Sequence, residues 1–243
     1  MISVCIATYN GEKYIRLQLD SILKQLSLAD EVIISDDGSK DATLDLVRSY
    51  NDSRIKIFNH EKKILKKSKV SSFMYATNNF ENAISKASGD IIFLADQDDV
   101  WADNRVQIMK EALETNDFVL CNLSLINGEG KVIREKLYDE NPVGKTFFSN
   151  LYLMPFRGCT MAFRKEALDL AMPFPNNCVC HDNWIGLCLS YKKKKFKYID
   201  TPLHLYRTHS NNVSPVLEKS PNSLSFKIAY RLRFLRQIMS RFR

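Results

Sequence analysis

Three aspartates follow a predicted buried strand in the stretch Gly89–Trp101. Five apolar residues, Ile91–Ala95, run without interruption, and Asp96, Asp98 and Asp99 come directly after them. A short apolar run that begins after a turn residue predicts a strand covered on both faces. Asp96 and Asp98 alternate, so they point the same way in extended backbone. Because Mg²⁺ and Mn²⁺ are commonly held by one or two carboxylates plus substrate phosphates, the stretch predicts a metal site for a diphosphate.

The alternative is a solvated acidic turn that caps the helix after it. The elements before this stretch favour the metal site. Val4–Thr8 and Glu31–Ser35 are also strand-like, and each is followed by a polar turn and then by apolar residues at helical spacing. Strand and helix alternate three or four times in roughly the first 115 residues, which predicts a mostly parallel sheet with helices on both faces.

Ligands of such sheets bind beyond the carboxyl ends of the strands. The turns at those ends are Thr8–Gly11, Asp36–Ser39 and Asp96–Asp99, and we expect them to meet on one rim. Ser39 is expected to cap the helix after the second strand, and Asp103 the helix after the fourth.

The second half is less regular and is expected to supply the acceptor side of the site. Phe118–Ile126 and Lys131–Lys136 flank an Asn-Gly-Glu-Gly turn, which predicts a β-hairpin. A helix is predicted from about His181 to Lys192, and a short strand over Phe196–Ile199.

The net charge of +7 is concentrated in the tail, residues 219–243. The tail holds seven basic and no acidic residues, which leaves 28 of the 35 basic residues against 28 acidic ones in residues 1–218. This balance argues against a nucleic-acid-binding protein. Leu224, Ile228, Leu235, Ile238 and Phe242 share one helical face, with arginines between them. The pattern fits equally a helix lying on an anionic membrane surface and a helix docked on its own domain or on a partner.

Several other classes of site and location are excluded or disfavoured. No G-x-G-x-x-G, G-x-x-x-x-G-K-[ST] or G-x-S-x-G motif is present. Cys178-Val-Cys180-His181 lacks the spacing and the second pair of a zinc site, and the six cysteines are expected to be free thiols. Without a secretion signal or an apolar run of about 20 residues, we expect a cytoplasmic protein, peripheral on the membrane if the tail binds lipid.

Five motifs, taken in order, resemble glycosyltransferase family 2, the inverting transferases of the GT-A fold. The resemblance is strongest to the rhamnosyltransferase-like members that build bacterial surface polysaccharides, and it covers Ile2–Val213. The five motifs are Ala7–Gly11, Ser35–Ser39, Gly89–Trp101, His181–Trp184 and Tyr206–His209. The resemblance implies one α/β domain over 1–218, with a nucleotide-binding half (1–115) and an acceptor half (116–218). The tail lies outside the resemblance, and its own pattern predicts a basic amphipathic helix over 219–243.

The resemblance also implies a reaction, in which a sugar moves from a nucleotide-diphosphate donor to a hydroxyl of a glycan or lipid-linked acceptor. Asp98, with Asp96, would hold Mg²⁺ or Mn²⁺, and Asp182 would be the catalytic base. One displacement inverts the anomeric carbon, so no nucleophilic residue is needed. The implied nucleotide contacts are Thr8, Tyr9, Asn10, Asp36, Asp37 and Asp96. Weaker candidates for the acceptor or diphosphate are His181, Trp184, Arg207 and His209.

Alternatives remain at this point. Asp182 could simply cap the helix that begins there. The segment Asp96–Val100 also resembles a phosphatase motif in which the first aspartate attacks phosphate, and the chain could be a sugar-nucleotide-binding module without activity. One departure from the family pattern is the segment Lys62–Asn78, which is long and lacks glycine, so we expect the donor to be contacted differently there.

Overall fold

The first half of the chain folds as the predicted alternation of strands and helices. The computed structural model describes residues 1–61, 70–209 and 222–243. Its first elements are β1 (Ile2–Thr8), α1 (Ile15–Leu23), β2 (Glu31–Asp36), α2 (Thr43–Arg48), β3 (Ile55–Asn59), α3 (Ser71–Lys86), β4 (Ile91–Asp96), β5 (Val100–Trp101) and α4 (Arg105–Leu113). β1 lies between β2 and β4, and all three run parallel.

The second half adds antiparallel and parallel strands to the same sheet. They are β6 (Phe118–Ile126), β7 (Val132–Arg134), β8 (Met161–Arg164) and β9 (Phe196–Arg207). The strand order of the complete sheet is β3-β2-β1-β4-β8-β6-β9-β5, with β7 paired to β6 outside this order. β8 is antiparallel to β4 and β6, whereas β9 is parallel to β6. The predicted hairpin is confirmed, and the predicted short strand at Phe196 extends to Arg207. The α/β class is confirmed.

The described part of the second half also contains the α-helices α5 (Phe147–Leu153), α6 (Lys165–Leu168), α7 (His181–Tyr191) and α8 (Leu224–Arg241). Apolar clusters cover both faces of the sheet. Val4 and Ile6 of β1 pack with α1 and α4, while Cys5 packs with α3, α7 and α8. This division follows from the strand period of two, which sends neighbouring side chains to opposite faces.

Neither predicted helix cap is correct. α2 begins at Thr43, and the Ser39 hydroxyl donates to Asp36 at 2.6 Å instead. α4 follows Asn104, whose φ is +61°, while Asp103 pairs with Lys24 at 2.6 Å. In both cases the polar turn continues past the expected cap before the helix starts.

α8 packs on its own domain. Phe234 and Ile238 are fully buried, and Phe242 stacks on Tyr191 at 5.4 Å. The guanidinium of Arg241 donates to the Leu170 carbonyl at 2.9 Å. Of the two arrangements predicted for the tail, the structure shows a helix docked on its own domain through its buried face.

No helix within the described ranges has both the length and the apolar content needed to cross a membrane. A lysine-rich loop is predicted over His60–Ser72, and its residues 62–69 lie outside the described residues, as does the predicted domain boundary at 218/219.

Candidate active site

A cleft of about 960 Å³ lies at the carboxyl ends of β1, β2 and β4. The strand register sets Thr8 beside Asp36 and Ala7 beside Asp96, so the three polar turns meet on one rim as predicted. The lining includes nine of the predicted site residues: Thr8, Tyr9, Asn10, Asp37, Asp96, Asp98, His181, Asp182 and His209.

Asp36 organises the second turn from beneath the cleft. Its carboxylate accepts hydrogen bonds from the Thr8 hydroxyl at 2.8 Å and from the backbone N–H groups of Gly38 and Ser39 at 2.9 and 2.8 Å. Gly38 has a φ of +78°, a conformation that glycine adopts without a steric cost. Asp36 is 1% exposed and does not line the cleft, so the structure gives it a supporting position.

Asp37 faces the cleft and is held from two sides. Its N–H donates to the Thr8 carbonyl at 2.9 Å, and its Oδ1 lies 2.6 Å from Nδ1 of His60. His60 follows β3 and was not predicted from the sequence as a site residue. It could have been found only by noting that β3 ends beside β2 on the same rim.

The first and third turns are tied together by Gln97. The Tyr9 N–H donates to Gln97 Oε1 at 2.9 Å, and Gln97 Nε2 donates to the Tyr9 carbonyl at 3.1 Å. A Cβ at Gly11 would lie 2.4 Å from Gln97 Oε1, so glycine is required for this approach. Asn10 (φ +49°) joins the second turn by accepting the Lys40 N–H at 2.8 Å.

The aspartates of the acidic cluster, Asp96, Asp98 and Asp99, differ in how far they are buried. Desolvation, followed by the charges of Asp99, Asp98 and Asp182, raises the pKa of the Asp96 carboxyl well above its usual value. The like charges of these carboxylates lie unfavourably close together, and a cation beside Asp96 and Asp98 would relieve their repulsion.

Asp99 does not face the cleft. It is fully buried, and it accepts the Arg207 N–H at 2.7 Å and contacts Nε2 of His204 at 2.8 Å. Arg105 donates to the other ring nitrogen of His204 at 2.8 Å, so the ring has Nδ1 as acceptor and Nε2–H as donor. Burial, and then the charge of Arg105, lowers the pKa of His204 well below its usual value.

Two groups of side chains are candidate ligands for a metal ion. Among the described residues, Asp99, Cys159 and His204 bring possible ligand atoms within 4.8 Å of one another. This buried trio does not fit a cation, because both nitrogens of His204 are engaged and Arg105 already supplies a positive charge. Asp98 and His209 fit better.

Asp98 Oδ2 and His209 Nε2 lie 2.9 Å apart at the cleft. Neighbouring ligands of an octahedral ion with ~2.1 Å bonds lie about 3.0 Å apart, so both atoms suit one Mg²⁺ or Mn²⁺ ion. His209 also stacks on Tyr14, with ring centroids 5.3 Å apart. Oxygen-rich rims with one imidazole are chemically suited to either ion.

Arg207 lies behind the site instead of in it. It is 1% exposed, and its guanidinium donates to the carbonyl oxygens of Asp98 at 2.9 Å and of Asn127 and Gly128 at 3.2 Å. The group also lies 4.6 Å from the Tyr14 ring centroid. The expectation that Arg207 contacts the diphosphate is therefore replaced by a structural role in holding the Asp98 loop.

Asp182 lies in the first turn of α7 and faces the cleft. Its Oδ1 accepts the Asn183 N–H at 2.6 Å and the Cys180 thiol at 2.7 Å. Its Oδ2 has a longer contact, 3.3 Å, with the Gly158 N–H. One oxygen is thus fixed at the helix start, and the other keeps a lone pair for a ligand in the cleft.

The two neighbours of Asp182 differ. His181 stacks on Phe80 with centroids 4.1 Å apart and lines the cleft, and burial lowers its pKa below the usual value. Trp184 is fully buried and donates from Nε1 to the Ala171 carbonyl at 2.8 Å. The expected position of Trp184 on the acceptor wall is corrected to a core position, because the helix turns this residue away from the cleft.

Part of α8 also lines the cleft, which the sequence did not indicate. Lys227, Tyr230 and Arg231 contribute side chains to its wall. The tail was expected to lie outside the transferase domain, and only the docking of Phe234 and Ile238 brings its first turns to the site.

Comparison with known proteins identifies the family. The family model described as "Glycosyl transferase family 2" matches residues 3–170. The chain is 30% identical over 236 residues to the dTDP-rhamnosyl transferase RfbG of Shigella flexneri, covering 93% of the chain and 77% of that protein.

Solved structures show the same fold. The Staphylococcus aureus protein TarS 1–349 in complex with UDP-GlcNAc has a TM-score of 0.66 at 19% identity, covering 98% of this chain and 72% of that one. The glucosyl-3-phosphoglycerate synthase of Mycobacterium tuberculosis with Mn²⁺, UDP and glucosyl-3-phosphoglycerate has a TM-score of 0.55 at 17% identity, covering 99% and 79%. The predicted GT-A fold is confirmed.

Proposed function

Since the chain belongs to glycosyltransferase family 2 and is a glycosyltransferase of polysaccharide synthesis, we propose that it catalyses an inverting, divalent-metal-dependent sugar transfer. The donor is a nucleotide-diphosphate sugar, and the acceptor is a hydroxyl of a glycan or a lipid-linked glycan. One observation carries the proposal: Asp37, Asp98 and Asp182 come from three distant parts of the chain and line one cleft.

The donor lies over the carboxyl ends of β1, β2 and β4. Thr8, Tyr9, Asn10, Asp37 and Asp96 supply its nucleotide contacts, and Asp36 keeps their loop in shape. Asp98 and Asp96 hold Mg²⁺ or Mn²⁺, with His209 beside Asp98. When bound, the ion screens the two phosphates and stabilises the charge that develops on the leaving nucleotide diphosphate.

Asp182 acts on the acceptor. Its Oδ2 accepts the proton of the acceptor hydroxyl as that oxygen attacks the anomeric carbon from the face opposite the leaving group. The fixed Oδ1 keeps the carboxylate oriented. One displacement inverts the anomeric centre. His181 lies beside Asp182 and helps to shape the acceptor side.

The similarity to a dTDP-rhamnosyl transferase makes dTDP-rhamnose the first donor to test. The phosphatase alternative would assign Asp96 as a nucleophile and leaves Asp37 and Asp182 without a role. The binding-module alternative leaves the oriented carboxylate of Asp182 unexplained. The family match and the shared cleft favour the transferase.

The test is calorimetry of UDP, GDP and dTDP binding with Mn²⁺. We expect Asp98→Ala to lose the metal-dependent part of the affinity for the nucleotide that the wild type binds. Asp103→Ala removes a carboxylate outside the cleft that is 79% exposed and is the matched control. Metal-dependent binding that survives Asp98→Ala would remove Asp98 from the metal site.

We also propose peripheral membrane contact through α5 and α8. Phe148 and Tyr152 of α5 are 71% and 72% exposed, and Leu224, Ile228 and Leu232 of α8 are 74%, 50% and 45% exposed. Arg231 joins the two helices by donating to the Tyr152 carbonyl at 2.6 Å. Apolar side chains with an excess of arginines nearby suit a surface of anionic lipid.

A further inference from the structure

The wall that α8 adds to the cleft stands next to the proposed base. The Cys180 thiol donates to Asp182 Oδ1 at 2.7 Å, and Cys180, Asp182 and Tyr230 all line the cleft. Burial, followed by the nearby Cys180 and Asp182, raises the pKa of Tyr230. Tyr230 therefore stays protonated, and it brings α8 beside Cys180 and Asp182.

Lys227 lies one helical turn before Tyr230. Residues three apart are neighbours on a helix, so Lys227 occupies the same wall, where it is half-buried. Within residues 1–61, 70–209 and 222–243, its ammonium makes no hydrogen bond or ion pair. A cation that is partly removed from water without a counter-charge is unfavourable, and a bound anion would offset that cost.

The two arginines of the cleft are engaged, and Lys13, on the turn after β1, is exposed beside the Tyr14 ring. Arg231 donates to the Tyr152 carbonyl at 3.0 and 2.6 Å and to the Lys227 carbonyl at 3.0 Å. Arg157 donates to the Tyr138 hydroxyl at 2.7 Å, and the Lys13 ammonium lies 4.9 Å from the Tyr14 ring centroid. Among the described residues of α8, Lys227 is thus the cleft-lining cation that a ligand can use.

We propose that Lys227 binds a phosphate or diphosphate group of the acceptor, so that the acceptor is an anion. This inference rests on the proposed function. A neutral glycan hydroxyl beside Asp182 would leave the ammonium without a partner. The acidic side of the cleft, with Asp37, Asp96 and Asp98, repels a free anion, so the phosphate of an acceptor is directed to the α8 side. The same chemistry is offered by a lipid diphosphate and by a phosphorylated sugar.

The experiment uses the full chain saturated with Mn²⁺ and its nucleoside diphosphate, so that the donor site is occupied. Farnesyl diphosphate, farnesol and glucose 1-phosphate are titrated by calorimetry. We expect at least one phosphate probe to bind and farnesol to bind at least about tenfold more weakly. Binding of farnesyl diphosphate alone indicates a lipid diphosphate, and binding of glucose 1-phosphate alone indicates a phosphorylated sugar. Either result supports the inference.

Variants of Lys227 test whether this side chain binds the phosphate group. Lys227→Gln is expected to weaken binding of the phosphate probe about tenfold or more, and Lys227→Arg to retain most of it. Arg236→Gln removes one exposed positive charge from the same helix outside the cleft and should change the affinity less than about twofold. Equal affinity of wild type and Lys227→Gln would overturn the inference.

The failure of this inference differs from failure of the proposed function. A wild type that binds a nucleoside diphosphate with Mn²⁺ but neither phosphate probe contradicts only the acceptor inference. A wild type that binds no nucleotide contradicts the proposed function and the inference with it. Nucleotide affinity, measured for each variant, also shows that the variant is folded.

Discussion

His209 Nε2 lies 2.9 Å from Asp98 Oδ2, although the two residues are 111 positions apart in the chain. β9 carries the chain up to Arg207, and Arg207 in turn holds the Asp98 carbonyl at 2.9 Å. The contact therefore links the end of the last strand to the loop after β4. This is the pair that we expect to share the metal ion.

We expect His209→Ala to weaken Mn²⁺ binding about 10–100-fold, because a lost ligand or a lost partner of a ligand has effects of this size. The measurement is calorimetry of Mn²⁺ binding in the presence of nucleoside diphosphate. The nucleotide affinity with a chelator present should stay unchanged. Unaltered Mn²⁺ affinity would mean that His209 only supports Asp98.

For Asp182→Asn we expect sugar transfer to fall by about 10²–10⁴, the usual contribution of a general base. The amide keeps the shape of the side chain and can still accept the Asn183 N–H. Nucleotide affinity in calorimetry should therefore match that of the wild type. Transfer at the wild-type rate would show that Asp182 serves only to stabilise the first turn of α7.

A third prediction concerns the buried guanidinium of Arg207. Arg207→Met leaves the carbonyls of Asp98, Asn127 and Gly128 without this donor, and we expect a loss of about 2–4 kcal/mol in the free energy of unfolding. Urea denaturation measures it. Arg233→Met, on the exposed surface of α8, is the control and should change stability by less than about 0.5 kcal/mol. Equal stabilities of the two variants would contradict the structural role.

The membrane proposal has its own variant. Leu224, Ile228 and Leu232 are exposed, whereas Phe234 and Ile238 anchor α8. Replacing the three exposed residues with serine should keep the helix docked and the melting temperature unchanged, while flotation with phosphatidylglycerol vesicles is lost. Flotation of this variant equal to that of the wild type would dismiss the membrane contact at α8.

Glu31 gives the fold a defined acid sensitivity. Burial opposes its ionisation, but hydrogen bonds from Lys56, Ser3 and Ser88 outweigh this and lower the pKa of Glu31 to about 2. A carboxyl whose pKa is depressed in the folded state stabilises the protein above its unfolded pKa of about 4.3, and that stability is lost as the pH falls toward 2.

Thermal unfolding followed from pH 7 to pH 2 should therefore show a steeper acid loss for wild type than for Glu31→Gln. At pH 7 the variant should be less stable by roughly 3 kcal/mol, the size expected for a shift of a little over two pKa units. Because Glu31 begins β2, at the rim opposite the cleft, nucleotide binding by the folded variant should be unchanged. If the stabilities of the wild type and of Glu31→Gln fell equally as the pH is lowered, groups other than Glu31 would govern the acid response.

The sequence by itself determined that Thr8, Asp37, Asp96 and Asp98 would meet. Their positions after apolar runs set the strand ends, and parallel pairing brings strand ends to one rim. The start of a helix at His181 likewise set Asp182 in a first turn. Local period and turn chemistry suffice for such features, because they depend on residues close in the chain.

Only the tertiary structure decided which distant residues contact one another and what each helix face packs against. Nothing near Asp37 in the sequence indicates His60, and nothing near Arg207 indicates that its guanidinium is enclosed by distant carbonyls. Trp184 and Lys227 each lie on helices whose period was clear, yet one faces the core and the other the cleft. The period of a helix fixes which residues share a face, but the packing of the whole chain determines what that face contacts.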